Sequence, residues 1–408
     1  MSVGTLVIGG GQAGVAMSRR LRAHGLPHLV LERGRIAERW RSERWDSLVA
    51  NGPAWHDRFP DKTFAGVDPD GFASAREIAD YLADYAREHE APIRCGVEVS
   101  SLRQGRGGTF VAQTAEGDIE ADKVVVATGP FQRPLVPDLV PARAGVVHIH
   151  SSRYRNSAQL PEGAALVIGA GSSGAQIADD LRRAGRRVYL SVGPHDRPPR
   201  NYRGRDFVWW LGVLGLWNAK AAQPNREHVT IAVSGANGGH TVDFRRLAIS
   251  GVTLTGMARS FANGALEFAP DLAKNIASGD ANLRAMLDAA DAYCAREGLD
   301  LPEEPDARNT PPDPPCLMDP PLSLNLAQSG IGAIIWATGY ALDFGWIQID
   351  TFDERGRPLH EGGVSKIPGL YFLGLAWLTR RASPFLWGVW HDAETLARHI
   401  AASPVVTR

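Results

Sequence analysis

A short apolar run, Leu6–Ile8, enters the glycine-rich stretch Gly9–Gly14. Helical spacing follows through Val15–Ala23, then a second apolar run, His28–Glu32. A period that switches from strand to helix and back predicts a β-α-β unit with parallel strands and a right-handed crossover. The pattern returns later. Leu166–Ile168 reads as a strand, Gly169–Gly174 as a turn, Ala175–Ala184 as a helix and RVYLSV as the next strand. Between the two units, Ser74 and Glu77 stand at capping-box spacing before a helix whose apolar face is Ile78, Tyr81, Leu82 and Tyr85. Lys123–Phe131 predicts a buried strand running into a turn, and Gly332–Tyr340 echoes it, both ending in Ala-Thr-Gly. A helical stripe runs through Leu283, Met286, Leu287, Ala290, Tyr293 and Cys294, and DAETLARHI predicts a closing helix.

Residues 302–321 carry eight prolines, which predicts a stiff connector or surface loop rather than helix or central strand. The fold class expected is therefore α/β, with two Rossmann-like dinucleotide-binding domains, the second inserted into the first. Residues 1–149 and 326–408 would form the first, residues 150–325 the second.

Composition narrows the function. The chain has 408 residues, 44% hydrophobic and 22% charged, long enough for two buried cores. A formal net charge of −1 supplies no basic field for nucleic acid. Cys95, Cys294 and Cys316 are too scattered for a disulfide framework or a paired redox motif, which points to a reducing compartment and away from disulfide reductases. No signal peptide is evident, and the apolar stretch Phe207–Trp217 is too short to span a bilayer, so a cytoplasmic protein is expected. Catalytic motifs for a nucleophile or a metal (G-x-S-x-G, H-E-x-x-H, C-x-x-C, P-loop) do not occur.

Each glycine turn has the chemistry of a dinucleotide site. The first glycine (Gly9, Gly169) makes the turn and the second (Gly11, Gly171) admits a pyrophosphate. The third (Gly14, Gly174) lets the helix close on the strand. Glu32 ends the second strand of the first unit, where an acid binds a free ribose hydroxyl, as in FAD or NAD. The matching place in the second unit is Ser191, with Arg197 and Arg200 beyond it. A missing carboxylate and nearby arginines favour NADPH, with NADH an open alternative.

With these motifs the chain resembles, over almost its whole length, the class B flavoprotein monooxygenases, the FAD- and NADPH-dependent flavin-containing monooxygenase group. GGGQAG is similar to that family's FAD loop and GAGSSG to its NADP loop. GVVHIHSSRYR, with Gly145, His150, Ser151 and Tyr154, resembles its fingerprint, and WATGY (Trp336–Tyr340) its late element. SLVANGPAW places Asn51 where the family carries an asparagine beside the reacting edge of the flavin. The resemblance implies that NAD(P)H reduces tightly bound FAD, which forms a C4a-(hydro)peroxyflavin and oxygenates a small organic molecule with O₂. Asn51 is the catalytic candidate. The expected cofactor-binding set is Gly9, Gly11, Gly14, Glu32, Trp40, Thr128, Gly129, Gly169, Gly171, Ser172, Ser173, Gly174, Ser191, Arg197, Thr338, Gly339 and Gly374.

Departures from the family pattern bear on the chemistry. Tyr154 stands where Baeyer–Villiger enzymes carry Trp, which favours oxygenation at nitrogen or sulfur over ketone-to-ester conversion. Leu375 replaces a common Asp, and Pro194 sits where an arginine would serve NADPH. Trp377, Phe385, Trp387 and Trp390 are candidate pocket walls, on a segment whose helix N-terminus would face the flavin. An NAD(P)H oxidase releasing hydrogen peroxide is the alternative enzyme; whether the chain forms a homodimer is open.

Overall fold

Parallel strands on either side of each glycine turn organise the molecule, which is a computed structural model describing residues 1–220 and 230–403. The first part contains β1 (Ser2–Ile8), α1 (Gln12–Ala23), β2 (His28–Glu32), α2 (Ala75–Glu88) and β3 (Ile93–Cys95). It continues with β4 (Val99–Gln104), β5 (Phe110–Thr114) and β6 (Gly117–Val126). The middle part contains β7 (Val147–His150), β8 (Ala164–Ile168), α3 (Ser172–Arg183), β9 (Val188–Ser191) and α4 (Phe207–Val213). It ends with β10 (Val252–Thr255), α5 (Leu272–Glu297) and β11 (Ile331–Trp336). The last part adds β12 (Leu370–Phe372) and α6 (Leu386–Ala402).

The first sheet runs β4-β5-β6-β1-β2-β3, with β12 pairing the far end of β6. Its strands β6, β1, β2 and β3 are parallel, while β4-β5-β6 form an antiparallel meander. The second sheet is wholly parallel, in the order β10-β9-β8-β11-β7. Two Rossmann-type sheets, one inserted in the other's sequence, are the α/β architecture expected.

The domain boundaries differ from the expected ones. β7 begins before residue 150, and β11 lies in the second sheet, between β8 and β7, rather than in the C-terminal part of the first. The similarity of the two Ala-Thr-Gly elements has a different cause. Each follows the strand flanking its own sheet's glycine turn: a Cβ on Gly9 would meet Ala127 O at 2.7 Å, and one on Gly169 would meet Ala337 O at 2.5 Å. The chain crosses between domains twice, and the crossings pair as an antiparallel ribbon, Arg133–Pro134 with Tyr340–Ala341.

Ser74 caps α2 with both halves of the capping box, and Ile78 and Leu82 on its inner face are fully buried. Each such side chain contributes about 2 kcal/mol of apolar burial. The proline-rich segment holds more structure than expected: a 3₁₀ turn at Pro305–Arg308 and a single helical turn at Pro315–Met318. Both start on proline, which fits a first helical position because its missing N–H has no partner there.

Candidate functional site

The first glycine turn is built to approach a ligand. Gly14 faces Gly9 so closely that a Cβ would lie 1.8 Å from the Gly9 carbonyl oxygen, whereas the space over Gly11 is open. α1 starts at Gly11 without a side-chain cap, so its first N–H groups are free for an anion. Glu32 is fixed at the end of β2: Gly10 N donates to its Oε2 at 2.6 Å and Gly34 N to its Oε1 at 2.8 Å. Trp40 Nε1 donates to Gln12 Oε1 at 3.4 Å, and the Arg44 guanidinium lies 5.1 Å over the Trp40 ring. Thr128 and Gly129 follow β6, where Gln132 Nε2 donates to Thr128 Oγ1 at 3.0 Å and to Gly129 O at 2.8 Å. Gly374 packs on the start of α1, a Cβ there lying 2.7 Å from that of Ala13. α6 likewise starts without a side-chain cap, beside Pro384, whose carbonyl accepts from Gln12 Nε2. These residues fit FAD: a carboxylate for ribose hydroxyls, uncapped amides for the pyrophosphate and a second open helix end for the ring.

The second turn repeats the construction. A Cβ on Gly174 would lie 1.7 Å from Gly169 O, and Gly171 starts α3 without a side-chain cap. Ser172 Oγ donates to Ile231 O at 2.9 Å and accepts from Val233 N at 3.3 Å, while Ser173 lies half-buried beside it. Thr338 and Gly339 follow β11 and border this turn rather than the first. His150 Nε2 donates to Gly339 O at 3.0 Å, which leaves Nδ1 to accept from Ser152 Oγ at 2.9 Å. Burial lowers the pKa of this imidazole.

Three expected residues are engaged elsewhere. Ser191 Oγ is buried and donates to Gly256 O at 2.8 Å. Arg197 is 5% exposed, and its guanidinium donates to Asp243 at 3.2 Å and Asp280 at 2.7 Å, because two buried carboxylates need a buried cation. Arg200 is held by Asp206 and lies against the rings of Phe72 and Phe207. Tyr154 is fully buried in the core of the second domain and donates to Asp180 Oδ2 at 2.6 Å. Leu375 is buried in the core of the first.

Asn51 stands where the domains meet. Its Oδ1 accepts from Gln176 Nε2 of α3 at 2.9 Å, and its backbone carbonyl accepts from Arg200 Nη1 at 2.6 Å. Beside it, Trp55, His56, Trp217, Phe385 and Trp387 gather from three parts of the chain. His56 stacks on Trp217 at 5.3 Å and meets Trp387 edge-on at 5.5 Å; Phe385 meets Trp217 at 5.3 Å. Asp57 Oδ1 binds His56 Nδ1 at 2.7 Å, while His56 Nε2 and Trp387 Nε1 are buried without a partner among the described residues. Phe385 and Trp387 both pack on Trp217 in this cluster. Trp390 does not: it stacks on His391 at 3.8 Å, under Arg20. Trp377 takes a left-handed backbone, with φ of 57°. Sequence reasoning missed Gln176 and the His56–Asp57 pair. Gln176 lies only two positions beyond Gly174 on a helix face already read as packing, and adjacent His-Asp carries no spacing signal.

Two glycine turns built as dinucleotide cradles, in a chain with two Rossmann-type sheets, are the architecture of a flavoprotein that uses a pyridine nucleotide. Residues 6–203 match the pyridine nucleotide-disulphide oxidoreductase family model. An uncharacterised CzcO-like oxidoreductase of Geobacillus kaustophilus is 35% identical over 402 residues, covering 98% of each chain. The probable indole-3-pyruvate monooxygenase YUCCA1 of Arabidopsis thaliana is 30% identical over 195 residues, 46% of this chain and 47% of that one. Among solved structures, a flavin-containing monooxygenase from Stenotrophomonas maltophilia matches with a TM-score of 0.67 at 19% identity, covering 98% of both chains. The chain belongs to the CzcO-like oxidoreductases and has the flavin monooxygenase fold. It is an oxidoreductase whose two glycine turns fit FAD and a pyridine nucleotide. No helix among the described residues is long and apolar enough to cross a membrane.

Proposed function

We propose that the protein is a single-component monooxygenase, acting on a small organic substrate at nitrogen or sulfur. FAD held at the first glycine turn beside Glu32, with NADPH or NADH at the second turn, would supply hydride transfer and activation of O₂, one oxygen atom entering the substrate and the other leaving as water. The chain's own part is to hold, orient and exclude water, since the cofactor supplies the hard chemistry. The observation that carries this reading is the aromatic cluster near Asn51, where loop 51–57, α4 with the turn after it, and the start of α6 converge. Such a wall suits an apolar or aromatic substrate. Buried His56 Nε2 and Trp387 Nε1 offer polar contacts to orient it. The preference for nitrogen or sulfur over a ketone rests on Tyr154 in place of Trp.

Turnover with NADPH under ¹⁸O₂, against a panel of aryl sulfides and tertiary amines, tests this reading. A sulfoxide or N-oxide carrying one ¹⁸O, with peroxide yield falling as it forms, is expected. Peroxide equal to the NADPH consumed with every member of the panel would identify an oxidase instead.

A further inference from the structure

The Asp57 carboxylate is anchored by its own loop. Gly52 N donates to its Oδ2 at 3.0 Å, and a Cβ on Gly52 would lie 2.5 Å from its Oδ1, so the carboxylate fits only over a glycine. Oδ1 takes the Nδ1 hydrogen of His56 at 2.7 Å. A carboxylate only accepts, so the proton of the neutral imidazole is on Nδ1 and Nε2 carries the lone pair. The His56 side chain is 9% exposed, and Nε2 is buried with no partner among the described residues. A buried acceptor left unmet points to a ligand that meets it.

Three tryptophans pack on this imidazole. It stacks on Trp217 at 5.3 Å and meets Trp55 and Trp387 edge-on at 5.6 Å and 5.5 Å. The cluster is tied to both glycine turns. Pro384, on the segment entering α6, accepts from Gln12 Nε2 at the start of α1. Ile231 and Val233, which pack in the cluster, bond Ser172 at the start of α3. The charged groups around His56 are the Asp57 and Asp206 carboxylates, Arg200, which is paired with Asp206, and Arg380, 5.9 Å over the Trp387 ring. His391 meets Trp387 edge-on at 5.3 Å, and burial with Arg380 and Arg20 keeps it uncharged above about 4. Tryptophan faces and a nearby carboxylate favour a cation, and the Nε2 lone pair asks for a donor. An ammonium N–H on an aromatic body meets both.

We propose that His56, oriented by Asp57, is the proton acceptor for an arylalkyl amine that reaches the cluster as its ammonium ion. An alkylammonium group, like that of lysine with a pKa of about 10.4, is protonated near neutral pH. Protonated nitrogen has no lone pair with which to take up an oxygen atom. In the step, an N–H bond breaks and an Nε2–H bond forms; the bonding pair stays on the amine nitrogen and nothing is oxidised. Asp57 stabilises the imidazolium that results. The proton is then available to the oxygen atom that departs as water. The proposal deepens the reading above, on which it rests for the fate of the freed nitrogen.

Sulfides need no such acceptor, and this provides the test. Calorimetric titration of the oxidised holoenzyme between pH 7 and 9, without NADPH, compares three probes with one phenethyl body. They are N,N-dimethylphenethylamine, its N,N,N-trimethyl analogue, which has no proton to give, and phenethyl methyl sulfide. Wild type should bind the amine equally well across this range and release no proton to the buffer. H56Q should bind it at least tenfold more weakly at pH 7, gain roughly tenfold per pH unit, and release about one proton per amine bound. D57N should weaken the amine in the same direction. The trimethyl analogue should bind wild type at least tenfold more weakly than the amine does. The sulfide should bind all three proteins alike, which also shows that the variants fold. Equal pH profiles in wild type and H56Q, or a trimethyl analogue binding as tightly as the amine, would overturn the proposal. So would a sulfide weakened by H56Q as much as the amine, an unaltered D57N, or no binding of the amine to wild type. None of these outcomes needs oxygen transfer: the ¹⁸O₂ experiment can fail while binding behaves as expected, and the reverse.

Discussion

Glu32 closes the first glycine turn on itself, taking the Gly10 amide hydrogen at 2.6 Å, while its second oxygen takes that of Gly34 at 2.8 Å. Each oxygen keeps a further lone pair with which to accept from a ribose hydroxyl. Glu32→Gln puts an N–H₂ where one oxygen stood, so it loses an anchored acceptor and faces an amide hydrogen with a donor. Charge-assisted hydrogen bonds contribute about 1.5–3 kcal/mol, so FAD affinity should fall roughly 10- to 100-fold. Flavin retained through gel filtration and fluorescence titration of the apoprotein would show it.

The two cradles should fail separately. Gly14→Ala places a Cβ 1.8 Å from Gly9 O, and Gly174→Ala places one 1.7 Å from Gly169 O. The first variant should purify without flavin. The second should purify yellow and lose reduction by NADPH while dithionite still bleaches it. A colourless Gly174→Ala protein that is otherwise folded would contradict the assignment of one cradle to each cofactor.

The two glycine turns were legible in the sequence, because a glycine turn between strand and helix is a local pattern. Ser74 with Glu77, and the two Ala-Thr-Gly strands, were visible for the same reason. Which sheet each Ala-Thr-Gly strand joins was not, since Ile331–Trp336 and Val124–Val126 are both continuous apolar runs that any buried parallel strand would show. Arg197 misled because charge near a binding loop says nothing about which partner it finds. Its carboxylates, Asp243 and Asp280, are distant in sequence. The aromatic wall was legible only in part, as Trp217 and His56 become neighbours through domain docking.

Arg197→Ala leaves Asp243 and Asp280 short of a buried cation. Breaking a buried pair costs about 3–5 kcal/mol, eased here because Arg245 also reaches Asp280, at 2.7 Å. Thermal unfolding should occur at clearly lower temperature. The ratio of KM for NADPH to KM for NADH should stay as in wild type. A selective rise in KM for NADPH would instead place Arg197 at the nucleotide phosphate.

His391 is held down to about 4 by burial first, then by the positive charges of Arg380 and Arg20. From an ordinary value of 6.5, the unfolded chain takes up a proton across this interval that the folded chain refuses. This contribution to stability is whole above about pH 6.5 and is lost as pH falls toward 4. His391→Gln should therefore lose less Tm than wild type between pH 7 and 4. Parallel Tm profiles would show that the imidazole titrates normally in the folded protein.

Anaerobic reduction with NADPH followed by rapid mixing with oxygenated buffer, read by absorbance in the presence and absence of an aryl sulfide, addresses monooxygenation most directly. The flavin should bleach, and a species absorbing to the blue of oxidised flavin should persist before the yellow spectrum returns. Less than one peroxide should be released per flavin when the sulfide is present. Return of the oxidised spectrum in a single step, with one peroxide per flavin whether or not sulfide is added, would contradict it.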